Sequence, residues 1–112
     1  MSLDKIQEDV DKWAEQFKKP YFNIEWMLAR LIEEIGELAR EINHLYGPKQ
    51  KKSDEAYRNL GNELADVLFT VSCMANREGI NLQKAWDKMI EEKNYGRDNN
   101  RYERKDGDTR NL

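Results

Sequence analysis

The chain has 112 residues, 37% charged and 38% hydrophobic, with a net charge of −3; that length suits one domain, and the acid excess argues against a binder of nucleic-acid backbones. Its one cysteine, Cys73, excludes an internal disulfide framework and a zinc site built on cysteines. No apolar run is long enough to span a bilayer, and Met1-Ser2-Leu3-Asp4-Lys5 leads into a charged helix with no signal-peptide pattern, so the cytoplasm is the expected location.

Apolar residues recur at helical spacing almost throughout. Leu3, Ile6, Val10, Trp13, Ala14 and Phe17 mark a first helix, and Pro20 punctuates the chain after it. Asn23 is the expected N-cap of a second helix. That helix carries an apolar stripe of Ile24, Leu28, Leu31, Ile35, Leu38, Ile42 and Leu45 and stops at Gly47-Pro48. A basic loop follows, with Lys49, Lys51 and Lys52, and Ser53 is the expected cap of a third helix. The third stripe reads Leu60, Leu64, Val67, Leu68, Val71, Met74 and Ala75, and Gly79 ends it. Asn81 is placed to cap a fourth helix through Leu82, Ala85, Trp86, Met89 and Ile90. Trp13 and Trp86 fall in apolar stripes and are expected in the core. The reading is an all-α, antiparallel four-helix-type bundle, because short connections join antiparallel neighbours. Residues 1–97 form the expected domain and 98–112 a charged tail.

The chemistry is concentrated on the second and third helices. Glu34 and Glu37 lie three apart, as do Glu63 and Asp66, and residues three apart share a helix face. At about 100° per residue, both pairs fall on the same flank of their apolar stripes. If the two helices form an antiparallel hairpin, all four carboxylates converge on one side of it. Carboxylates gathered this way repel one another and need a counter-charge. Oxygen ligands alone point to Mg²⁺ or Mn²⁺, and Mg²⁺ commonly joins protein carboxylates to substrate phosphates. Phosphoryl-bond hydrolysis is the natural reaction for such a site. A solvated acidic face is the alternative for any one such pair; two pairs at matching offsets weaken it. Glu33 points away from the stripe, and Glu41 shares the flank of Glu37. A di-iron bundle needs two Glu-x-x-His motifs, and the chain has a single histidine, His44, three after Glu41.

Glu33-Glu34-Ile35-Gly36-Glu37 followed by Glu63-Leu64-Ala65-Asp66 resembles the MazG-type nucleotide pyrophosphohydrolase signature, Glu-Glu-x-x-Glu then Glu-x-x-Asp. The flanking Leu31-Ile32, Leu38, Asn62 and Val67-Leu68 extend the likeness, which runs from the second helix to Arg97. The resemblance implies Mg²⁺ ligation by Glu34, Glu37, Glu63 and Asp66, with Glu33 in a supporting role. It implies hydrolysis of nucleoside triphosphates to monophosphate and pyrophosphate by a metal-bound water, often on non-standard or deoxy nucleotides. It also implies a homodimer or homotetramer with the site near the interface. Lys93-Asn94-Tyr95-Gly96-Arg97 is similar to the family's basic phosphate-binding segment, and Lys88 lies earlier on the same helix. Trp26, off the main stripe, and Phe22 are the candidates for stacking on a base. A non-catalytic helical module binding nucleotide, metal or a partner is the alternative from another class. A related branch acting on phosphoribosyl-ATP fits the Glu-Glu-x-x-Glu context less well.

Overall fold

The computed structural model describes residues 2–48 and 53–107, with side chains from 59 onward in the second stretch. Helix α1 covers Ser2–Ala14, α2 Ile24–Tyr46, α3 Ser53–Glu78 and α4 Leu82–Met89. A π-helical segment, Ile90–Arg97, continues directly from α4. The described residues contain no strand, so the architecture is all-helical, as the periodicity predicts.

The caps form where the sequence places them. The Asn23 side chain accepts from the Trp26 amide at 2.9 Å, and that of Asn81 accepts from the Lys84 amide at 2.8 Å, each satisfying a donor that the first helical turn leaves free. The expected Ser53 cap and the basic loop around Lys51 lie outside the described side chains. Gly79 ends α3 with φ +68°, a left-handed conformation that a Cβ disfavours. Gly47 ends α2 for a different reason. Its φ is −87°, open to any residue, but a Cβ there would stand 2.6 Å from the Asn43 carbonyl oxygen. The glycine is needed for close approach.

Helices α2 and α3 form the main packing pair. Glu37 meets Glu63, while ten residues earlier Met27 lines the same cleft as Cys73, ten residues later. Contact positions advance in opposite directions, so the two helices are antiparallel. The face α2 turns to α3 differs from the expected stripe. Met27, Glu34 and Glu41 are buried, with Ile24, Leu31, Leu38 and Leu45 half-buried between them, at alternating spacings of three and four. Leu28, Ile35 and Ile42, assigned to the core stripe from sequence, are exposed. They join Ile32 and Tyr46 in a second apolar row that nothing among the described residues covers. The physical reason is that Glu34 and Glu41 sit in the helix seam, which rotates half of the apolar stripe outward.

Helix α1 lies against α3 and α4, burying Val10 and Ala14. A polar junction joins the three. The Gln7 side chain donates to Asn76 Oδ1 and to the Ile80 carbonyl, both at 2.8 Å, and accepts from the Leu82 amide at 2.8 Å. The glutamine thereby satisfies backbone groups that the α3–α4 turn leaves without helical partners. Trp13 and Trp86, expected in the core, are 54% and 50% exposed. Within one chain, α1 and α4 each have too few neighbours to cover an indole.

Candidate active site

The antiparallel register brings Glu34 and Glu37 of α2 against Glu63 of α3. One carboxylate oxygen from each lies within 4.8 Å of the others, a spacing that a single cation can bridge. Glu34 is 1% exposed. Arg30, one turn earlier, reaches its Oε1 at 2.8 Å. Glu34 Oε2 and Glu63 Oε2 are buried with no hydrogen-bond partner. Buried acceptors without donors are costly, and a hard divalent cation is the ligand that such an all-oxygen set accommodates. Loss of hydration, a hydrogen bond shared with Glu37, and repulsion from Glu37, Asp66 and Glu34 together push the Glu63 carboxyl above its ordinary range. Asp66 is exposed one turn along α3, close enough to act on Glu63 but outside the triplet. Glu41, also buried, lies one turn beyond Glu37 and holds His44 Nδ1 at 3.0 Å. That pair is the lone Glu-x-x-His motif of the sequence.

Beside the carboxylates is an open cleft of about 500 Å³. Trp13, Tyr21, Phe22, Trp26 and Phe69 give it an aromatic lining. Phe22 and Trp26 lie 5.8 Å apart, and Trp13 stands edge-on to Phe69 at 5.7 Å. Both base-stacking candidates, Trp26 and Phe22, are therefore in one wall. Arg30 and Glu33 form its polar edge. Glu33 is exposed, in keeping with the wheel, but faces this cleft. The wall formed by Tyr21 and Phe22 is tied down from α3: Asn76 donates to the Tyr21 hydroxyl at 3.0 Å, and Arg77 to the Phe22 carbonyl at 3.1 Å. The Tyr21 hydroxyl donates in turn to Asp11, and burial with that hydrogen bond raises its pKa to about 12. Cys73 lines the cleft floor, where burial pushes its thiol up and disfavours the reactive thiolate.

The basic candidates lie elsewhere. Lys88, Lys93 and Arg97 are exposed, and α4 packs mainly on α1 and the π-helical segment. Arg97 is engaged by its neighbour Asp98, at 3.0 and 3.2 Å. None of the three lines the cleft or the carboxylate triplet. Sequence reasoning did not single out Arg30, Phe69 or Thr70 as cleft residues. The Arg30–Glu34 spacing of four was a readable signal for the first; the other two needed the helix register.

A profile of the MazG nucleotide pyrophosphohydrolase domain matches residues 22–102, spanning both carboxylate motifs and the cleft residues from Phe22 onward. The chain belongs to this family. It is 45% identical over 105 residues to the YpjD protein of Bacillus subtilis (strain 168), covering 94% of each chain. Two solved structures share the fold. The putative pyrophosphatase YpjD from Bacillus subtilis is 46% identical, with a TM-score of 0.75 over 82% of this chain and 94% of its own. The Bacillus-conserved MazG protein, a nucleotide pyrophosphohydrolase, is 42% identical, with a TM-score of 0.71 over 82% of this chain and 88% of its own. The carboxylate triplet, with Glu34 buried, Glu63 half-buried and Glu37 exposed, thus belongs to a MazG domain. Among the described residues, no helix is long and apolar enough to cross a membrane.

Proposed function

We propose that this MazG domain hydrolyses nucleoside or deoxynucleoside triphosphates between the α- and β-phosphates, releasing a monophosphate and pyrophosphate, with Mg²⁺ as the working cation and Mn²⁺ as a substitute. The observation that carries the reading is the pair of buried, unpartnered carboxylate oxygens on Glu34 and Glu63, set beside an aromatic cleft. Glu34, Glu37 and Glu63 would hold the cation, with Asp66 able to join by a side-chain rotation on its exposed turn. When bound, such a cation polarises the phosphate and activates water for attack.

The protein's own groups position the substrate. Trp26 and Phe22 offer flat apolar surfaces for the base, and the cleft volume is in the range of small-molecule sites. Glu33, which accepts hydrogen bonds but does not donate them when ionised, supports the nucleoside at the cleft edge. An aromatic cleft without a dense set of polar groups suits a tolerant enzyme that removes non-standard nucleotides. The cytoplasm is the corresponding place of action.

The active form we propose is a dimer or tetramer of this chain. Leu28, Ile32, Ile35, Ile42 and Tyr46 leave a long apolar row exposed on α2, 50% and 62% exposed at its first two members. The radius of gyration is 18.0 Å, against about 13 Å for a compact domain of this length.

The test is pyrophosphate release from a panel of standard and modified NTPs and dNTPs with Mg²⁺, with Mn²⁺ and with EDTA. Cation-dependent formation of pyrophosphate and monophosphate is the expected result, lost in Glu37→Gln and in Asp66→Asn with helicity intact. A folded, metal-loaded protein that releases no pyrophosphate from any of them would leave a nucleotide- or metal-binding module.

A further inference from the structure

Arg30 is the one cation among the described residues lining the aromatic cleft. It is also the residue that reaches Glu34 Oε1, at 2.8 Å. Its side chain is 63% exposed while that of Glu34 is 2% exposed, so the guanidinium approaches the carboxylate from the solvent side. Arg30 therefore stands where the cleft meets the carboxylate triplet. A nucleotide with its base in the cleft and its outer phosphates at the triplet must pass its sugar and α-phosphate across that boundary. The cations expected from sequence, Lys88, Lys93 and Arg97, do not line it.

We infer that Arg30 is a phosphate-binding residue that grips the α-phosphate of the nucleotide. In the cation-free chain its guanidinium serves as counter-charge to Glu34. A divalent cation held by Glu34, Glu37 and Glu63 would supply that counter-charge in its place and repel the guanidinium. The exposed arginine then turns toward the cleft mouth, where its planar fork matches two oxygens of a phosphate. The exchange would keep the charges balanced: with a cation held by the triplet, Glu34 no longer needs the arginine, which meets the negative charge that the substrate brings. This inference rests on the reading that the cleft takes the base and the triplet takes the cation.

The α-phosphate leaves with the nucleoside monophosphate, whereas pyrophosphate carries the other two. Binding of the two products thus separates the roles. The probes are the four ribonucleoside 5′-monophosphates, their nucleosides and pyrophosphate, each titrated with Mg²⁺ by calorimetry. In Arg30→Met, which keeps the aliphatic stem, monophosphate affinity is expected to fall about tenfold, with nucleosides and pyrophosphate within about twofold of the parent. KM for the triphosphate rises in Arg30→Met, and Arg30→Lys recovers part of both losses. If Arg30→Met weakens pyrophosphate and Mn²⁺ binding as much as monophosphate binding, the arginine only orders Glu34 and the inference is overturned. Unchanged monophosphate binding in Arg30→Met, where Trp26→Ala weakens it, also overturns the inference while leaving the cleft reading standing. If Trp26→Ala alters neither nucleoside nor monophosphate binding, the underlying cleft reading fails first.

Discussion

Replacing Glu34 by glutamine is expected to make the metal-free protein more stable while removing its activity. Glu34 is 1% exposed, with one oxygen on Arg30 and the other buried without a partner. An exposed i,i+4 ion pair contributes only about 0.3–0.5 kcal/mol, and with Arg30 mostly in solvent the lower end applies. A glutamine oxygen also still accepts from the guanidinium. Against this, the change removes a buried charge facing two other carboxylates. The new amide can donate to one of them, and relieving an unsatisfied buried group contributes about 1–3 kcal/mol. The net gain is about 1–2 kcal/mol. Each kcal/mol raises the melting temperature of a domain near this size by roughly 4–8 °C. The assay is thermal unfolding in EDTA and in millimolar Mn²⁺. The variant melts higher than the parent in EDTA, gains less from Mn²⁺, and loses about 100-fold or more in turnover. A variant that melts several degrees lower in EDTA would refute the reasoning, because Glu34 would then be a structural partner of Arg30 and not a strained cation ligand.

Three further outcomes follow from the same geometry. The Glu63 carboxyl titrates above 4.5 in the folded chain, so the folded state holds that proton more tightly than the unfolded one. This contribution is whole below pH 4.5 and is lost as the pH rises through the raised value; unfolding in EDTA therefore shows stability falling over that window relative to Glu63→Gln, and saturating Mn²⁺ abolishes the difference. Gly47→Ala places a Cβ 2.6 Å from the Asn43 carbonyl oxygen and is expected to cost about 1–3 kcal/mol in denaturant unfolding, although the backbone there is not left-handed. Leu28→Glu with Ile32→Glu puts two charges on the exposed α2 row, and light scattering is expected to report single chains where the parent forms the proposed oligomer.

The existence and order of the helices were legible because each depends on local chemistry. Asn23 and Asn81 accept the amides they were placed to accept. Gly79 turns the chain where a left-handed residue was needed. The Glu-x-x-Glu and Glu-x-x-Asp spacings put paired carboxylates on helix faces by the geometry of the α-helix alone. The short α2–α3 connection then made the antiparallel hairpin the economical arrangement. The continuation of α4 into a π-helical turn was not legible: periodicity reports which face is apolar and says little about the hydrogen-bond register of the last turns.

Helix rotation and assembly of the cleft were decided at the tertiary level. Periodicity on α2 is compatible with a seam through Leu28 and Ile35 or with one through Met27 and Glu34, because the two rows lie side by side. Packing against α3 selected the second, burying Glu34 and Glu41 and leaving aliphatic side chains outside. Hydrophobic pattern alone ranks that choice lower, since it buries charge. Trp13, Trp26, Phe69 and Arg30 are far apart in sequence or on different sides of the expected stripes, and only the crossing of α1, α2 and α3 makes them one cleft. Sequence by itself determined which carboxylates share a helix face, since spacing on a helix is a local property. Which of them meet across the helix pair, and which surface lies beside them, depends on how whole helices turn against one another, and that is set by contacts no local pattern records.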